Sequence, residues 1–245
     1  MKRSVLISLV ILSVSMDVVA NRSEIYNAYV SNRMDLWEQT MIRMERELKT
    51  TGGQAERYAL TEAQYGYIAY CLSEGWKKEA AYWLKKAETN LEVLLDSDPQ
   101  NPRLFSLKGA LYGYALLLEP VKAPFLGRRS ANASDRALEL GPAEPIVWME
   151  KANMEFYKPA VFGGSAGNAI PLYEKAIELF EERPEDFREN WLYLNSLTNL
   201  AQAYEKNGQL LESEKICRKL LKMEPSFHWI RHELCSRLRE KQAER

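Results

Sequence analysis

The sequence predicts an all-α protein: about five helix pairs in a row, closed by a single C-terminal helix. Three observations carry this. Apolar residues recur at three- and four-residue intervals along nearly the whole chain, and no segment alternates as a strand would. Pro99, Pro142, Pro184 and Pro225 each follow an amphipathic stretch. Proline ends a helix there because it lacks the N–H and clashes with the preceding turn. The gaps between these prolines are 43, 42 and 41 residues, so one helix pair with its turns fills each interval.

The first element is not read as part of the fold. Lys2 and Arg3 precede the apolar run VLISLVILSV (5–14), and Val18-Val19-Ala20 offers a cleavage site. That pattern is a secretory signal, with cleavage expected after Ala20 and residues 21–245 forming one helical-repeat domain. The apolar run is shorter than the ~20 residues that span a bilayer, so an uncleaved anchor is the weaker alternative. Without residues 1–20 the chain loses two positive charges and one negative, and its net charge moves from −1 to −2. Such a balance gives no general attraction to nucleic acid or to an anionic membrane.

The helices then follow in order. The first pair spans 22–31 and 34–49, ahead of the breaker Thr51-Gly52-Gly53. The second spans 55–73 and 76–95, with Gly75 at the turn. The third spans 103–118 and 126–140, with Pro120 and Pro124 enforcing a longer connection. The fourth spans 145–157 and 167–181, and the fifth 185–206 and 209–222. A last helix over 227–241, with a charged end at 242–245, has no partner and suits a cap with a polar outer face.

The clearest repeat is LNSLTNLAQAYEKNGQLLESEKICRKLLKMEP, residues 194–225. With Leu194 as position 1, Leu200, Ala201, Tyr204, Gly208, Ser213 and Pro225 stand at positions 7, 8, 11, 15, 20 and 32. This spacing resembles the tetratricopeptide repeat (TPR), a helix–turn–helix unit of 34 residues. Ala169, Tyr173 and Ala176 match positions 20, 24 and 27 of the fourth unit (145–184). Gly75, Ala80, Leu84 and Ala87 match positions 15, 20, 24 and 27 of the second. The resemblance implies a right-handed α-solenoid that binds partners and does no chemistry.

In the family the first (A) helix of each pair lines a concave groove. Carried onto this chain, the resemblance places Tyr65, Tyr114, Met149, Asn153, Phe156, Tyr157, Asn195, Gln202 and Lys206 in that groove. Aromatics and amides with one lysine suit an extended peptide or a partner helix. Phe156 and Tyr157 are equally readable as packing between repeats.

Three other features invite a function. Phe162-Gly163-Gly164-Ser165 replaces a tight turn. It reads either as an anion-binding loop with bared backbone N–H groups or as a structural turn in which Phe162 plugs the core. Pro171 fits easily if the next helix begins near Asn168, where its missing N–H costs nothing. His228 and His232 share a helix face and are weak metal candidates, lacking the third and fourth ligands a zinc site needs. Cys71, Cys217 and Cys235 are an odd set; Cys71 and Cys217 are read as small core residues, with a Cys217–Cys235 bridge as the alternative.

No nucleophile–base arrangement or nucleotide loop is present in the sequence, so neither enzyme activity nor a cofactor is expected. The reading is a periplasmic, non-enzymatic scaffold of a bacterial envelope that binds a protein or peptide and no nucleic acid. Two alternatives stand beside it. One is a small-molecule TPR subunit of a periplasmic solute-uptake system, with a closed apolar cavity near Phe162. The other is a metal-binding protein built on His228 and His232.

Overall fold

A computed structural model of the chain describes residues 18–183 and 187–243, except the side chain of residue 242. The signal sequence expected at 1–20 lies almost wholly outside the described residues. All regular structure among them is helical.

The helices are α1 (residues 18–31), α2 (Met34–Thr51), α3 (Gln54–Ser73), α4 (Lys77–Ser97), α5 (Pro102–Leu118), α6 (Ala123–Leu140), α7 (Pro145–Tyr157), α8 (Ala166–Glu181), α9 (Trp191–Lys206) and α10 (Leu210–Met223). One turn of π-helix (Ile230–Leu234) leads into the cap α11 (Cys235–Ala243). Helices pack in antiparallel pairs, α3 on α4, α5 on α6, α7 on α8 and α9 on α10, and each pair packs on the next. This is the expected all-α solenoid, with α1, α3, α5, α7 and α9 as A helices and the even-numbered ones as B helices.

Local chemistry sets the boundaries. Asn101 caps α5 by accepting the Arg103 N–H at 3.0 Å, with Pro102 at the first helical position, where no N–H is needed. Pro145 opens α7 in the same way. Gly75 and Gly208 end A helices with φ of +74° and +81°, a region that penalises a Cβ.

The pairs close on small residues. Ala80, Ala87, Ala169, Ala176 and Ser213 are fully buried. In the fifth unit the Ser213 hydroxyl donates to the Ala201 carbonyl at 2.7 Å, pinning B to A. In the third unit Ser130 does the same to Gly109 at 2.8 Å. These partners stand 12 residues apart in the fifth unit and 21 in the third, so nine residues are inserted into the turn of the third. A Cβ on Gly109 would come within 3.2 Å of the Ser130 carbonyl, and glycine keeps that approach open.

Three boundaries differ from the sequence reading. The fifth A helix begins at Trp191 rather than at 185. Glu189 has a φ of +46°, and the extended Asn190 caps the helix through the Leu192 N–H at 2.9 Å. The third B helix begins at Ala123, directly after a 3-10 turn over Pro120–Lys122. The fourth begins at Ala166 because Ser165 caps it, accepting the Asn168 N–H. Pro171 therefore lies inside α8 rather than in its first turn.

Candidate functional site

The concave face is closed at its centre. Tyr29 of α1 lies against Trp191 of α9 (5.9 Å between ring centroids), Trp37 of α2 (6.2 Å) and Phe227 before the cap (5.2 Å). Trp37 meets Trp191 edge-on at 5.0 Å, and Tyr65 stacks on Tyr114 at 5.6 Å. The first and fifth units thus touch across the superhelix. Gly66 makes this possible, since a Cβ there would stand 2.7 Å from both Trp37 and Trp191.

Around this plug runs a connected set of polar side chains. Tyr65 donates its hydroxyl proton to the Glu150 carboxylate. The Asn153 amide donates to Glu150 at 3.3 Å, while its carbonyl oxygen accepts from Tyr173 at 2.7 Å and from Asn199 at 3.1 Å. Asn199 also donates to Asn195, which donates to Tyr29. Gln202 donates to Asn199 at 3.2 Å, and its own carbonyl oxygen has no partner among the described residues. Burial pushes the Glu150 carboxyl up to about 7, against the opposing hydrogen bonds from Tyr65 and Asn153.

The expected groove residues divide accordingly. Tyr157 is 64% exposed and Lys206 is exposed, its ammonium 4.9 Å from the Phe156 ring centroid. Tyr114, Asn153, Asn195 and Gln202 are half-buried. Tyr65 and Phe156 are buried, and Met149 is wholly so, which places it in the core and corrects its assignment to the groove surface. Tyr29, Glu150 and Asn199 belong to the network and were not singled out in the sequence. The signal for Glu150 was present, a lone carboxylate in the run PIVWMEKANM (145–154).

The loop after α7 is a structural turn with Gly163 at a φ of +85°, as the second reading expects, but neither the anion site nor the core plug forms. The N–H groups of Gly163, Gly164 and Ser165 are bonded to the carbonyls of Ala160, Pro159 and Glu155, leaving no bared nest for an anion. Phe162 does not plug the core but stands 73% exposed, so no closed cavity forms around it. Gly164 is required sterically, because a Cβ would fall 1.8 Å from the Lys158 carbonyl oxygen.

A cavity of about 340 Å³ lies instead near the start of α5, α7 and α9, walled by Arg22, Tyr58, Glu62, Arg103, Asn190 and Trp191. Burial raises the Glu62 carboxyl above its ordinary range, and Arg22 opposes this. His228 and His232 are exposed, 4.7 Å apart, and among the described residues no cluster of three His, Cys, Asp or Glu could hold a metal. The three cysteines are buried free thiols.

A family model of the tetratricopeptide repeat matches residues 194–227. The chain thus carries a tetratricopeptide repeat over those residues. Among solved structures, the HusA haemophore from Porphyromonas gingivalis superposes with a TM-score of 0.58 at 20% identity, covering 74% of this chain and 91% of that one. A thermophilic TPR protein from Thermus thermophilus superposes with a TM-score of 0.57 at 17% identity, covering 84% and 92%. No curated protein sequence matches. At these identities the likeness is one of fold. The TPR fold is generally a non-enzymatic scaffold for protein interaction. No helix among the described residues is long and apolar enough to cross a membrane.

Proposed function

We propose that this TPR protein is a non-enzymatic scaffold of the bacterial cell envelope that holds a protein or peptide partner on the outer part of its concave face. One observation carries the reading. Exposed Tyr157 and Lys206 adjoin the half-buried amides of Asn153, Asn195 and Gln202, and the Gln202 carbonyl oxygen is left for a partner's N–H. An aromatic anchor beside the one open amide oxygen, that of Gln202, suits an extended backbone. The plug of Tyr29, Trp37 and Trp191 limits that partner to the half of the face near the C-termini of α7 and α9.

The test is capture of an envelope partner by the purified chain. Tyr157→Ala with Gln202→Ala removes capture while the helical circular dichroism signal stays unchanged. Asn153 is a poor probe because it bridges Tyr173, Glu150 and Asn199.

A second reading is a small-molecule subunit of a solute-uptake system, favoured by the cavity. Arg22 on its wall makes no hydrogen bond or ion pair among the described residues, and Tyr58 and Trp191 add aromatic surface. The fold shared with a haemophore makes a small ligand worth testing. A ligand held there raises the melting temperature, and Arg22→Ala abolishes the rise.

A further inference from the structure

Large apolar side chains that stand exposed are unevenly placed. Nine of the thirteen among the described residues lie at or beside the turns that join A helices to B helices, all on one edge of the solenoid. The longer turns after α5 and α7 contribute Leu117, Val121, Phe125, Tyr157, Val161 and Phe162, with Val121 96% and Val161 85% exposed. The turns on the opposite edge at 98–101, 141–144 and 224–226 carry none. α5 and α7 pack side by side as successive A helices, so their C-terminal turns emerge together.

Cations flank these side chains. Arg128 is exposed with no hydrogen bond or ion pair among the described residues, and Arg129 lies over the Phe125 and Tyr112 rings at 4.4 and 5.4 Å. Lys122 pairs with Glu119 and Lys158 with Glu155, so the two turns together keep an excess of positive charge.

We propose that this edge docks on the surface of an anionic lipid bilayer, with Val121, Phe125, Val161 and Phe162 entering the interface and Arg128 and Arg129 meeting the headgroups. Exposed apolar patches mark protein or membrane contacts. Side chains that protrude from loop tips need a separate pocket each in a protein partner, whereas a bilayer interface receives them without matched shape. The chain's net charge of −1 provides no long-range attraction, so the contact depends on the local basic residues.

A polarity-sensitive fluorophore on V161C reports this directly, since the three native cysteines are buried. The full chain is mixed with vesicles of phosphatidylcholine containing phosphatidylglycerol. The emission shifts to the blue, pure phosphatidylcholine gives at least about tenfold weaker binding, and the same probe on Q100C, at the opposite edge, does not shift. Phe125→Ser with Phe162→Ser weakens the V161C response at least about tenfold. No shift at V161C, or an equal shift at Q100C, overturns the proposal. A shift caused by an envelope protein but not by lipid assigns the edge to a protein partner and overturns it equally.

Discussion

The Tyr65 hydroxyl on α3 donates to the Glu150 carboxylate on α7, a bond between residues 85 positions apart that ties the second unit to the fourth. The carboxylate is 7% exposed, and burial raises its pKa from the ordinary 4.5 to about 7. The raised value makes stability depend on pH with a definite sign. Below the unfolded value both states hold the proton and the full stability is present. As pH rises from 4.5 to about 7, the unfolded chain releases its proton first and stability falls. The loss amounts to about 3 kcal/mol. Glu150→Gln keeps an acceptor for Tyr65 and removes the titration. Urea melts at about pH 5 and about pH 8 therefore show the variant gaining on the wild type at the higher pH. An equal difference at both would show that Glu150 titrates normally.

Two glycines in A helices have opposite roles. Gly66 faces Trp37 and Trp191 at distances no Cβ tolerates, so Gly66→Ala destabilises by ~1–3 kcal/mol through displacement of the rings. Gly113, in α5, has open space where its Cβ would be, so Gly113→Ala stabilises by ~0.5–1 kcal/mol. Denaturant midpoints of the two variants, moving in opposite directions, check both claims.

Ser213 is fully buried and its hydroxyl binds the Ala201 carbonyl. Ser213→Ala retains the small volume and loses one buried hydrogen bond, at a cost of about 1 kcal/mol. Ser213→Val costs more, because the extra methyl meets α9. Thermal melts rank wild type, alanine and valine in that order.

The sequence made the scaffold legible and hid the site. Periodicity and punctuation recover the α-helices α1 to α11 but not the short 3-10 and π turns, since burying one face of an α-helix requires apolar residues three and four apart. The start of α9 was misplaced because the amphipathic pattern runs back through Phe187, while Glu189 and Asn190 break the backbone locally. The first unit was weak as a repeat, and this concealed the most consequential contact. Tyr29 meets Trp191 only because five units wind far enough to bring the ends together, and no local pattern encodes that rotation. For the same reason Met149 was placed on the groove when it packs beneath it.

Gly164→Ala probes the turn after α7. Its Cβ would collide with the Lys158 carbonyl, so the turn must move and Phe162 with it. The cost is ~1–3 kcal/mol. Faster proteolytic nicking within 158–165, with the remaining helices intact, checks it.

The central claim is that the open half of the concave face, and not the plugged centre, receives a peptide-like partner. Titration of the chain with the captured envelope partner, for wild type and for Tyr157→Ala/Gln202→Ala, tests it most directly. A loss of affinity of at least about tenfold, with an unchanged melt, is the predicted result. Equal affinity for the two proteins would contradict it.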